Sequence, residues 1–63
     1  MSTLRMRVVV EQDELQAKIK ALKDFLQSPM FHTLQFDHQR LLHTQLTAME
    51  IYDNILNMRV DLL

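Results

Sequence analysis

The stretch LRMRVVVE, residues 4–11, decides how the rest of this chain must assemble. Leu4, Met6, Val8 and Val10 alternate with Arg5, Arg7, Val9 and Glu11. Period-two alternation rich in β-branched residues is the signature of a pleated strand, so a strand is expected over about residues 4–10. No other segment here has that period. A lone strand leaves its backbone donors and acceptors without ladder partners. The simplest closed solution is an antiparallel pair across a two-fold axis, with Leu4, Met6, Val8 and Val10 facing inward.

Downstream of this stretch the spacing turns helical. Leu15, Ile19, Leu22 and Leu26 form one stripe, with Gln16, Lys20, Lys23 and Gln27 opposite, which predicts a helix over about residues 13–27 with Asp13 as its N-cap. Pro29 ends it, because the residue before a proline is pushed out of the α region. Ser28 and Pro29 then suit the N-cap and first position of the next helical turn. Beyond them there is no Pro and no Gly, so a single long helix is expected over about residues 33–61.

That second helix carries more apolar surface than one neighbour can cover. Leu41, Leu42, Leu46, Ala48, Met49, Tyr52, Ile55, Leu56, Val60 and Leu63 spread over an arc of about 200°, against about 100° for an ordinary surface helix. At 1.5 Å per residue the second helix is about 42 Å long and the first about 22 Å. The C-terminal turns, with Leu56, Met58, Val60 and Leu62, are therefore expected to bury against a second subunit. The fold class that follows is mainly α: one N-terminal β-strand and a two-helix hairpin in an intertwined homodimer. Residues 1–63 form a single dimerising domain whose interface takes Leu4, Met6, Val8, Val10, Leu42, Met49, Tyr52, Leu56 and Val60.

Composition points the same way. A chain of 63 residues has a marginal core of its own. With no Cys it has neither disulfides nor thiolate metal sites to compensate, so oligomerisation is the remedy left. The apolar run near the N-terminus is far shorter than a secretory h-region, and no stretch approaches the roughly 20 apolar residues of a membrane span. The expected location is cytosolic, away from membranes. Net charge is −1, with Arg5, Arg7, Lys18, Lys20 and Lys23 in the first part and Asp24, Asp37, Glu50, Asp53 and Asp61 in the second, as complementary faces of an assembly would have it.

No catalytic, cofactor or metal constellation emerges. His32, His38 and His43 miss the i, i+4 spacing of a helical metal site, and a chain without Gly has no phosphate-cradling glycine loop. The sharper pattern is a stripe of Leu42, Gln45, Met49, Tyr52, Leu56 and Arg59, spaced by threes and fours and confined to about 100° of the helix. Its two polar members, Gln45 and Arg59, suit either the register of a dimer or contact with a partner protein. Phe31, Phe36, Met58 and Leu62 lie at the margins of this seam and, with Arg59, are the candidate residues for an apolar groove that takes a partner's amphipathic helix.

A rival reading is a ribbon-helix-helix DNA-binding dimer, with Arg5, Arg7 and Val9 on a two-stranded ribbon in the major groove. A negative net charge, the length of the second helix and a QSPMF turn without glycine weigh against nucleic acid.

Over its whole length the chain resembles the short lytic-phase proteins that lambdoid phages encode between their exonuclease and excisionase genes. The stripe from Leu42 to Arg59, L-x2-Q-x3-M-x2-Y-x3-L-x2-R, is similar to that of a wider set of small phage proteins. The resemblance implies a protein made early in infection that favours lytic over lysogenic development. Such a protein acts on a bacterial host protein in the host cytoplasm and is non-enzymatic. It also implies a dimer of one strand and two helices.

Overall fold

The computed structural model describes residues 3–63 as two long helices folded back on each other. Helix α1 runs Thr3–Leu26, a 3₁₀ helix spans Pro29–Thr33, and α2 runs Phe36–Leu62. Among the described residues there is no strand, so the expectation of a strand over residues 4–10 is wrong. Those residues are the first two turns of α1, and Asp13, expected as an N-cap, lies in the helix interior. With the strand go the intertwined strand pairing and the ribbon on which the DNA reading depended.

The reason lies in where Val8 points. Val8 stands seven residues before Leu15, and Val8, Gln12, Leu15, Ile19, Leu22 and Leu26 follow one another at intervals of four and three. That is a seam of period 3.5, which keeps facing one neighbour along its length. As a helix, residues 4–10 satisfy their carbonyls and the N–H groups beyond the first turn internally and bring Val8 onto α2. As a strand they would need a second chain for both. The helix-propensity deficit of Val8, Val9 and Val10, about 0.6 kcal/mol each, is small beside that gain.

Helix α2 answers with a matching seam. Gln39, Leu42, Leu46, Met49, Asp53, Leu56 and Val60 recur at threes and fours, and every one is at least partly buried. Val8, Leu15, Ile19 and Leu56 form the buried cluster, with Leu46, Met49 and Val60 packed against it. Leu56 is fully enclosed, at 0% exposure. Because α1 has 24 residues rather than about 15, it is about 36 Å long and reaches the C-terminal turns of α2, which the shorter helix could not.

Polar cross-links set the register of the hairpin. The Gln12 amide donates to Asn57 Oδ1 at 3.4 Å and the Gln16 amide to Asp53 Oδ1 at 3.2 Å. Nearer the turn, Lys23 Nζ lies 3.3 Å from Glu50 Oε2. All three are exposed and individually weak, but a slip of either helix would break them together.

The turn is built as Ser28 and Pro29 suggest. Ser28 is extended (φ −83°, ψ 154°), as a residue before proline must be, and Pro29 opens the 3₁₀ helix. The Ser28 hydroxyl donates to the Phe25 carbonyl at 2.7 Å and the Gln39 amide to the Leu34 carbonyl at 2.8 Å, satisfying groups that the helix ends leave free. Phe31 plugs the closed end, 5% exposed, with the Phe25, His32 and His43 rings edge-on to it at 6.3, 5.4 and 5.5 Å.

Two substitutions test this arrangement. Leu56→Ala, at the most enclosed point of the seam, is expected to cost about 2–5 kcal/mol in urea denaturation. Val10→Ala separates helix from strand: on an exposed helix face it should stabilise by about 0.5 kcal/mol, whereas a strand would lose stability. A lower melting temperature for Val10→Ala would argue against α1.

Candidate functional site

Two helices side by side make a layer only one helix deep, with Cα extents of 48 × 15 × 12 Å. Each helix has one covered side, and the rest of its circumference faces outward. Among the described residues five hydrophobic side chains are buried, while twelve large ones stand exposed. A typical monomer keeps its largest apolar patch to about 300–600 Å². Here the exposed apolar residues line up.

Half of them follow the outer side of α2. Leu41, Ile51, Tyr52, Ile55, Met58 and Leu62 are all exposed, from 40% at Tyr52 to 85% at Leu62. At 100° per residue they centre about 150° around the helix from the seam that faces α1. Thr44 and Ala48 fill the gaps between them. The acidic residues of this segment lie elsewhere: Glu50 is paired with Lys23 and Asp53 holds Gln16, both toward α1. Charges enter the outer face near its ends, as Asp37 in the first turn of α2 and Arg59 in the last.

The stripe of Leu42, Gln45, Met49, Tyr52, Leu56 and Arg59 is divided by the fold. Leu42, Met49 and Leu56, together with Val60 and with Val8 of α1, are taken up wholly or partly inside the hairpin of one chain. Gln45, Tyr52 and Arg59, set seven residues apart, stand exposed along the edge of the outer face that adjoins that seam. Among the described residues the Gln45 amide reaches only Met49 Sδ, at 3.9 Å on the same helix. Of the other residues considered for subunit contact, Leu4, Met6 and Val10 are exposed on α1.

The candidate groove residues are also dispersed. Phe31 is buried in the closed end, whereas Phe36, on the same end, is 76% exposed. Met58, Arg59 and Leu62 are exposed at the open end, where Leu4, Arg59, Leu62 and Leu63 line a shallow apolar notch with one guanidinium on its wall. The wide apolar arc read from the sequence included Leu41 but left out Ile51. The signal for Ile51 was present, as Ile51, Ile55, Met58 and Leu62 follow one another at intervals of four and three.

Among the described residues no group of three or more His, Asp or Glu is placed to hold a metal ion, and no helix is long and apolar enough to cross a membrane. What the geometry offers is a long, uncovered, mostly apolar helix face. In sequence comparison the family described as Sequestin matches residues 2–62.

The chain belongs to the Sequestin family. A similar protein of Enterobacteria phage T4, described as an uncharacterized 7.5 kDa protein in the denB-rIIB intergenic region, is 41% identical over 54 residues. The alignment covers 86% of this chain and 84% of the T4 protein. No solved structure matches. With the family and the T4 relative together, the chain is a small phage protein.

The two phenylalanines at the closed end separate structural from surface roles. Phe31→Ala should cost about 3–5 kcal/mol in denaturant melts, and Phe36→Ala less than about 1 kcal/mol. Equal losses for both would show that Phe36 is covered in solution.

Proposed function

We propose that this Sequestin protein is a non-enzymatic binding protein, made early in phage infection, that sequesters a bacterial host protein in the host cytoplasm and favours lytic over lysogenic development. The observation that carries the reading is the outer face of α2, where six large hydrophobic side chains from Leu41 to Leu62 are exposed. Such a face is costly to leave in water, at about 25 cal/mol per Å² of apolar surface, and a folded chain retains it to bind something. The family's name speaks of sequestration, and the resemblance to lambdoid early-region proteins supplies the lytic setting.

The protein acts as a homodimer. A chain this small, with five buried hydrophobic side chains among its described residues, gains much of its stability by covering a second copy. Phe36, Met58 and Leu62 then remain at the ends and margins of the pair, where an amphipathic helix of the host protein can seat its apolar side. Met58 suits that role because its unbranched thioether side chain adapts to irregular contacts.

Two measurements test the proposal. Producing the protein in the bacterial host should lower the frequency of lysogeny and recover the same host protein in repeated affinity purifications. Phe36→Lys and Met58→Lys, each shown by circular dichroism to stay helical, should lose both effects. If both variants retain capture, the apolar-surface reading fails. For the dimer, the melting temperature should rise with protein concentration; a concentration-independent melt at a mass of 7.5 kDa refutes it.

A further inference from the structure

Taking the dimer reading as its base, we infer that two copies join through the outer faces of α2, antiparallel and crossing at Ala48, with Arg59 of each copy paired to Asp37 of the other. An antiparallel pair centred on Ala48 sets residue 48+n of one copy beside residue 48−n of the other. Ile55 then meets Leu41, Tyr52 meets Thr44, Arg59 meets Asp37, and Ala48 meets itself. A two-fold contact must be self-complementary, each residue finding its partner on the same surface. This register meets that demand in both shape and charge.

Shape is met by the small residue at the crossing. Ala48 is the smallest side chain on the outer face, and placing it on the axis lets the helices approach closely while Leu41 and Ile55 fill the space on either side. Charge is met at the two ends. Asp37 and Arg59 lie about 33 Å apart along α2, roughly six turns, and within about 40° of each other around it. Both are exposed, and among the described residues neither has an ion pair or side-chain hydrogen bond. The helix dipole accounts for an acid at one end and a base at the other. It does not account for both standing on the outer face, bracketing its apolar residues.

The crossing also gives Met58 and Phe36 a common position. Phe36 of one copy sits at the level of Val60 of the other, within a turn of that copy's Met58, and both fall on the same side of the pair. The apolar residues proposed to receive a host helix are thus brought together twice, once at each end of the dimer.

Charge reversal tests the register in the full chain. By sedimentation equilibrium, Arg59→Asp and Asp37→Arg should each weaken dimerisation by about tenfold or more, since the two-fold axis places each like-charge contact twice. An equimolar mixture of the two variants should recover dimers, because in the mixed pair both contacts are again of opposite sign. The double variant should also dimerise as the wild type does. The same reversals on α1, Lys20→Asp and Asp13→Arg, should leave dimerisation unchanged and show no rescue on mixing. A wild-type chain that stays monomeric at tens of micromolar overturns the dimer itself. A wild-type dimer that neither single reversal weakens, or that mixing fails to restore, overturns the Ala48 crossing while leaving the dimer in place.

Discussion

The enclosure of Leu56 against the first turns of α1 is the contact on which the rest of this structure depends. Leu56 lies one turn and a half from the end of α2, and only a helix that begins as early as Thr3 places Val8 in its cluster. Once that contact forms, residues 4–10 are committed to the helix, α1 and α2 become comparable in length, and the hairpin closes over nearly its whole extent. It also fixes which sides of the helices remain uncovered. A seam of period 3.5 uses one face of each helix, and the outer face of α2 is left over because a two-helix layer has nothing to put there.

Much of this was legible in the sequence. The absence of Pro and Gly after Thr33, the Ser28-Pro29 turn and the excess apolar arc of the second helix all follow from local rules that the fold obeys. Residues 4–10 were misread because Val8 satisfies both periods: its alternation with Leu4, Met6 and Val10 reads as a strand, while its heptad spacing to Leu15 reads as a helix. Gln12 hid the second reading by placing a polar residue in the seam between them, where its amide meets Asn57 instead of a core side chain. Short apolar runs are ambiguous for this reason, and the arbitration comes from a partner far along the chain.

The stripe from Leu42 to Arg59 shows a different limit of spacing arguments. Six residues at threes and fours share about 100° of a helix, but spacing does not say where within that arc the neighbouring helix sits. Here the boundary falls between Leu42, Met49 and Leu56 on one side and Gln45, Tyr52 and Arg59 on the other, a separation of about 60°. The buried half belongs to the hairpin and the exposed half to its surroundings. Gln45 and Arg59 occur in the exposed half, where polar groups keep their water or find a partner outside the chain.

An apolar face built on heptads carries its own hazard, since sliding one copy by seven residues along the other returns hydrophobic side chains to similar positions. Apolar contact alone therefore specifies such a pairing weakly. Charges confined to the two ends resolve it. A slip of seven residues shifts Arg59 by about 10 Å along the partner helix, a distance comparable to the Debye length at physiological salt, and the attraction to Asp37 is largely screened there. The exposed pair adds little to the strength of association. Its contribution is to make one register better than its neighbours, which is the use to which polar residues in helical seams are put. The same economy explains why the interior of the face, from Leu41 to Met58, has no charge of its own: a charged side chain there would have to be desolvated in every register, including the correct one.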